Sequence, residues 1–182
     1  MLRLFVSVDL PDALKDELEF LCHGVEGARW TNERQFHVTL AFLGEVSGPV
    51  ARAVQEALKR VRGDPFELQL QGVGHFPPRG APKVLWVGLE PSEELAQLHD
   101  RVRSALLRAG VAAERRRFAP HVTLARLRRA PLPGVVDFLT SHGAFRPEPF
   151  AVTDFQLMRS VLGRSGAQHT VQISYPLFER RA

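Results

Sequence analysis

One segment of this chain occurs twice, and that constrains the fold more than any other feature. Phe36-His37-Val38-Thr39-Leu40-Ala41 is answered by His121-Val122-Thr123-Leu124-Ala125. The flanks keep step: Val6 to Pro11 precedes the first copy as Val87 to Pro91 precedes the second, an offset of 80 to 84 residues. Four shared residues alone would be weak evidence, but with flanks in register they read as a divergent internal duplication. The interval is far too long for a solenoid repeat. The chain has 182 residues, which fits one domain at about 150 residues each. The two copies are therefore expected as lobes of a single domain, 1–182, divided in sequence at about 1–80 and 81–182.

Periodicity supplies the elements. Residues 3–9 are apolar and β-prone, Pro11 suits a helix first turn, and Leu14, Leu18 and Leu21 follow at helical spacing. After Gly24 and Gly27 come a short Arg29-Trp30-Thr31, a turn at 32–35 and a strand over 36–43. Ser47-Gly48-Pro49 opens a helix carrying Val50, Val54, Leu58 and Val61, which Gly63 closes. Strands are expected at 66–74 and 83–89, separated by a loop over 75–82 whose prolines keep it out of a sheet interior. A helix from Pro91 carries Leu95, Leu98, Val102 and Leu106; then come a strand at 120–127, a helix at 133–141, and strands at 149–159 and 168–174. The expected fold is α+β: two pseudo-symmetric lobes, each an antiparallel sheet with flanking helices, and a cleft between them.

Side chains alternate along a strand. Phe36, Val38, Leu40 and Phe42 therefore belong to one face, the core, and His37, Thr39 and Ala41 to the other. Val122 and Leu124 sort in the same way against His121, Thr123 and Ala125. Each motif thus presents an imidazole and a hydroxyl roughly 6.5–7 Å apart on a face with no hydrophobic reason for them. Two such pairs across a cleft supply what in-line displacement at phosphorus requires: a base for the incoming oxygen, an acid for the outgoing one, and hydroxyls for the non-bridging oxygens. With a reference pKa near 6.5, both imidazole forms are accessible near neutrality.

Rival chemistries fit less well. Neither motif has further His, Asp, Glu or Cys at metal-ligand spacing, and no cofactor is expected. Cys22 falls on an expected helix, and a chain with one cysteine cannot form an internal disulfide. The sequence has neither a Gly-x-Ser-x-Gly elbow nor a Gly-x-x-x-x-Gly-Lys phosphate loop. Asp9 interrupts the apolar N-terminus too early for a signal peptide, and no run of about 18 apolar residues occurs. The expected setting is cytoplasmic, with no membrane contact.

Trp30, residues 36–44, Pro82-Lys83-Val84-Leu85-Trp86-Val87-Gly88-Leu89 and Phe118-Ala119-Pro120-His121-Val122-Thr123-Leu124-Ala125-Arg126 together resemble the two-histidine phosphoesterase superfamily. The narrower resemblance is to the RNA 2′,3′-cyclic phosphodiesterases, also called the bacterial and archaeal 2′-5′ RNA ligase family. It runs from Arg3 to Phe178 and implies metal-independent hydrolysis of an RNA 2′,3′-cyclic phosphate to a 2′-phosphomonoester. It also implies roles: His37 as proton donor, His121 as proton acceptor, Thr39 and Thr123 beside them, and Arg126 on phosphate. The symmetry of the motifs by itself leaves the direction open. Arg126 stands five residues after His121, an odd step that turns it away from the cleft on a straight strand, so its role requires a twist, a bulge or a strand end. Phe42 holds the equivalent place in the first motif and is expected in the core. Phe76 and Arg79, in the proline-rich loop, are candidates for base stacking and backbone contact. His23, His75, His99, His142 and His169 lack the motif and are given no chemistry.

The implied partner is RNA with 2′,3′-cyclic ends, tRNA-derived ends among them, and the expected form is a monomer. Reversible 2′-5′ ligation would use the same residues with a ribose hydroxyl in place of water. A non-catalytic module gripping a terminal phosphate is the alternative from outside enzymology. Charge bears on the partner as well. Arginine makes up 21 of the 24 basic residues, and Arg115, Arg116, Arg117, Arg126, Arg128 and Arg129 fall within fifteen residues around His121. That clustering predicts a positive rim on the second lobe that gathers polyanions.

Overall fold

The computed structural model describes residues 1–112, 116–163 and 166–178. In chain order these form β1 (Leu2–Asp9), α1 (Asp12–Glu19), β2 (Ala28–Trp30), a 3₁₀ turn (Glu33–Gln35), β3 (His37–Val46), α2 (Gly48–Leu58), β4 (Phe66–Leu68) and β5 (Leu70–Phe76). There follow β6 (Val84–Leu89), α3 (Glu93–Arg108), β7 (His121–Leu127), α4 (Leu132–His142), β8 (Phe150–Val152), β9 (Asp154–Gly163) and β10 (Gly166–Pro176). The inner strands β1, β3, β6 and β7 carry alternating or continuous apolar residues. The helices begin where a side chain or proline satisfies the first turn: Ser92 accepts from the Leu95 amide, and Ser47 caps α2 ahead of Pro49.

One antiparallel sheet runs β10-β9-β1-β3-β7-β6-β5, with β2 also paired to β7. Its middle is thin: β3 and β7 share the single register Val38↔Val122. That junction divides the sheet into a first lobe (β10, β9, β1, β3) and a second (β7, β6, β5, with β2). The lobes exchange strands, because β2 comes from early in the chain yet edges β7, while the C-terminal β9 and β10 complete the lobe begun by β1. The helices cover one face, where Leu18, Val54, Leu95, Val102 and Phe138 pack against Val6, Val38, Leu85, Val122 and Leu157 in one continuous core. The opposite face holds both His-x-Thr motifs.

Three strand expectations are corrected. The expected strand 66–74 is two strands in different sheets, β4 pairing β8 and β5 pairing β6. The break falls at Gln69, whose side-chain amide donates to the Leu70 and Pro147 carbonyls. The expected strand 149–159 likewise divides, β8 pairing β4 in a two-stranded sheet and β9 joining the large one between β10 and β1. His75 and Phe76 lie inside β5, opposite Leu85 and Val84, so the loop starts at Pro77. Beyond these, α1 ends before Cys22 and α2 before Val61, both of which lie in the turns that follow.

Candidate active site

Both motif histidines are anchored in the same way. The His37 Nδ1–H donates to the Gln35 carbonyl at 2.6 Å, and the His121 Nδ1–H donates to the Ala119 carbonyl at 2.7 Å. A carbonyl can only accept, so it fixes the tautomer of the neutral ring and leaves each Nε2 unprotonated, able to accept. On the first strand that nitrogen has a local partner, the Thr39 Oγ1 at 3.1 Å. Both histidines and both threonines are half-buried, while Val38, Leu40, Val122 and Leu124 are buried beneath them.

Farther along each strand the simple alternation fails. In the β1–β3 ladder Val6 pairs Ala41 and Ser7 pairs Thr39, so Leu40 is an extra residue; in the β6–β7 ladder Leu85 pairs Ala125 and Trp86 pairs Thr123, so Leu124 is extra. Each is a β-bulge three residues past its histidine, and a bulge reverses the side-chain order beyond it. Ala41 and Ala125, expected on the open face, accordingly join the core. Phe42, expected in the core, is 59% exposed. Arg126 is exposed on the face that carries His121 and Thr123, opposite Arg29 of β2. Because β3 and β7 are antiparallel about Val38↔Val122, Phe42 and Arg126 lie toward opposite ends of the cleft.

The surroundings of the two rings differ. Asp9 stands opposite His37, its charge met by Lys15 at 2.8 Å, whereas Gly88 stands opposite His121. His37 rests against Phe5 at 5.0 Å and meets His169 edge-on at 5.6 Å. His121 meets the edge of Phe76 at 4.9 Å, with Trp86 at 6.5 Å. Burial pushes the His37 pKa down to about 4, helped by the nearby His169 and His121 and opposed by the Gln35 carbonyl and Asp9. Burial also lowers His121, against the Ala119 carbonyl. Gly74 stands opposite Trp86 and leaves room for its indole: a Cβ on Gly74 would clash with two of the ring carbons.

The structure therefore gathers His37, Thr39, His121, Thr123, Arg126 and Phe76 on one face. Arg79 is exposed on the loop between β5 and β6. His169, given no chemistry from sequence, is carried to His37 by the β9–β10 hairpin, and no local motif signals it. Arg116, Arg117, Arg128 and Arg129 are exposed, and Arg115 lies outside the described residues. Burial raises the Cys22 thiol to about 12, which makes it a poor nucleophile. Among the described residues no group of three or more His, Cys, Asp or Glu has a metal-binding arrangement, and no helix is long and apolar enough to cross a membrane.

A family model described as the 2′-5′ RNA ligase superfamily matches residues 4–164. A protein of Archaeoglobus fulgidus named RNA 2′,3′-cyclic phosphodiesterase is 32% identical over 168 residues, 91% of this chain and 94% of that one. One of the same name from Aeropyrum pernix is 39% identical over 136 residues, 74% of this chain and 77% of the other. Among solved structures, E. coli LigT in apo form superposes with a TM-score of 0.80 at 29% identity, covering 98% of each chain. LigT complexed with 3′-AMP gives 0.79 at 29% identity, covering 97% of this chain and 98% of that one.

Proposed function

The chain belongs to the 2′-5′ RNA ligase superfamily, and from that premise we propose that it hydrolyses RNA 2′,3′-cyclic phosphate ends to 2′-phosphomonoesters by paired-histidine catalysis without a metal ion. The observation that carries this reading is the matched anchoring of two imidazoles, each offering Nε2 to one cleft. With the phosphate between them, His121 takes a proton from water as the water oxygen bonds to phosphorus. The bond from phosphorus to the 3′ oxygen breaks, and His37 protonates the departing oxygen. The assignment of donor and acceptor follows the family resemblance. Each transfer is worth about 10²- to 10⁴-fold in rate. Thr39 and Thr123 donate to the non-bridging oxygens, the phosphate replacing the imidazole as the partner of Thr39, and Arg126 binds the same phosphate. Phe76 and Arg79 contact the substrate beyond it.

The free protein holds His37 neutral at pH 7, since its pKa is about 4. An anionic phosphodiester between the rings favours their charged forms and raises both pKa values, so substrate binding itself loads the acid. Relatives named for the same activity and a LigT complex with 3′-AMP support this substrate class. We further read the paired motifs as an internal duplication, and the chain as a cytoplasmic monomer whose site is built from one copy; size-exclusion chromatography with light scattering tests the last point.

The decisive experiment offers an oligonucleotide with a 2′,3′-cyclic terminus in excess EDTA and identifies the product. A 2′-phosphate is expected. A 3′-phosphate would reverse the acid and base roles, complete inhibition by EDTA would restore a metal mechanism, and binding without turnover would favour the RNA-end module. Ligation of a 5′-hydroxyl RNA to the same terminus would show the second activity of the same residues.

A further inference from the structure

The helical face carries a concentration of charge that the cleft does not use. Arg101, Ser104 and Arg108 stand at i, i+3 and i+7 of α3 and share one side of it. That side borders a groove of about 380 Å³, within the range of small-ligand sites, which Arg60 and Arg62 complete from the turn after α2. Asp100 is the one carboxylate that lines it among the described residues, and it faces His99 at 3.1 Å. Part of the charge has a structural task. Arg62 Nη1 donates to the Lys59 and Val61 carbonyls at 2.6 and 3.2 Å, and Arg101 Nη1 donates to the Arg62 carbonyl at 2.9 Å. Two guanidiniums thus close the end of α2 and tie it to α3, and each keeps N–H groups to spare. Gly63 leaves room for the Arg101 fork, since a Cβ there would come within 3.2 Å of the same Nη1. Arg60 and Arg108 are exposed, and among the described residues neither is in an ion pair.

Four guanidiniums against one carboxylate leave three positive charges. The C-terminal ends of α2 and α3 offset roughly half a charge each, so about two remain unmatched. We propose that the groove between α2 and α3 binds phosphate groups, those of an RNA strand or of a free phosphorylated ligand, at a site separate from the catalytic cleft. Guanidinium forks take phosphate oxygens in pairs, and Ser104 adds a hydroxyl donor. Two neighbouring phosphodiesters or one phosphomonoester dianion match the charge left over. The phosphate between His37 and His121 is a different one, because the sheet separates the helical face from both motifs. The inference stands apart from the proposed reaction, since no group of the cleft takes part.

The test maps binding by residue and needs no turnover. Inorganic pyrophosphate is titrated into isotope-labelled protein and followed by two-dimensional NMR. The backbone amides of Val61, Arg62, Gly63 and Ser104 should shift, and the affinity read from them should fall roughly 10- to 100-fold in the double variant Arg60→Gln with Arg108→Gln, the scale of lost charge-assisted hydrogen bonds. Arg126→Ala should leave these shifts as they are. A second arm separates the sources by fluorescence anisotropy, with a dinucleotide and an RNA of tRNA size, each ending in a 2′-phosphate. An RNA strand in the groove predicts that the double variant weakens the long RNA, lowers its salt slope by about one per arginine, and spares the dinucleotide. A free phosphorylated ligand predicts that neither RNA is weakened while pyrophosphate still shifts the groove of the wild type. Absence of groove shifts with pyrophosphate and with the long RNA, or shifts of undiminished affinity in the double variant, would overturn the proposal. So would a fall in kcat on a 2′,3′-cyclic dinucleotide, which would tie these arginines to the cleft.

Discussion

The two motif strands share a backbone plan and differ in what surrounds it. Both histidines are pinned through Nδ1 to a carbonyl two residues earlier, and both strands bulge at the following leucine. Around His37 the neighbours are Asp9, Phe5 and His169; around His121 they are Gly88, Phe76 and Trp86. The shared part, ring orientation and distance along the strand, is what two-sided proton transfer requires. The unshared part sets charge: the first ring is buried more deeply against a second imidazole, and its pKa falls to about 4. Symmetry builds the paired arrangement, and departures from symmetry give each ring its own surroundings.

The severest challenge to this comparison is separate replacement. His37→Ala and His121→Ala should each lower kcat on a cyclic oligonucleotide by about 10²- to 10⁴-fold, and the double variant should lose much less than the product of the two. A variant that keeps its rate would mean that its strand is scaffold only. Next, Arg126→Ala should raise KM by roughly 10- to 100-fold, the scale of a charge-assisted hydrogen bond, and should flatten the salt dependence of kcat/KM, whereas Phe42→Ala should leave that salt dependence intact.

A third pair of variants alters what lies behind the two threonines. Gly74→Ala pushes a methyl into the Trp86 indole that backs Thr123, and should cost about 1–3 kcal/mol in thermal unfolding. Ser7→Ala, opposite Thr39, removes a buried hydroxyl that has no hydrogen-bond partner among the described residues, and should be neutral or slightly stabilising. A reversal of these signs would show that the two backs of the cleft are not built as described.

The smallest effect is on pH. A required donor loses activity as pH rises above its pKa, and a required acceptor loses it as pH falls below its own. With His37 as the proposed donor at about 4 and His121 as the proposed acceptor lowered from 6.5, kcat/KM should rise to about pH 4, stay level, and then fall as pH rises past a second limb that lies under 6.5. The kcat profile should be displaced upward, because bound phosphate raises both groups. His169→Gln removes a like charge beside His37 and should move only the lower limb upward, by less than one unit. Movement of the upper limb instead would assign His169 to the other ring.

Much of this was readable from sequence because it is local. His37 and His121 stand out by repetition, and the helix faces of Leu95, Leu98, Val102 and Leu106 by period. What escaped is set by partners far along the chain. The bulges at Leu40 and Leu124 exist only relative to the registers of β1 and β6, so strict alternation misplaced Phe42, Ala41 and Ala125. Gln69 and Thr153 interrupt apolar runs without proline or glycine, and only the β4–β8 pairing reveals the breaks. His169 reaches the site from 132 positions beyond His37 through sheet topology alone.

The strand exchange between lobes also bears on how the protein is made. Arg3 pairs Ser160 across the sheet, so β1 has no outer neighbour until β9 has been made. Contacts of such separation close slowly, since the entropy of ordering the intervening chain precedes any gain from them. On the ribosome, β2, β3, β5, β6 and β7 can assemble while β1 still offers an open edge and His37 still lacks His169. A chain truncated before β9 therefore carries both His-x-Thr motifs with the first lobe unfinished.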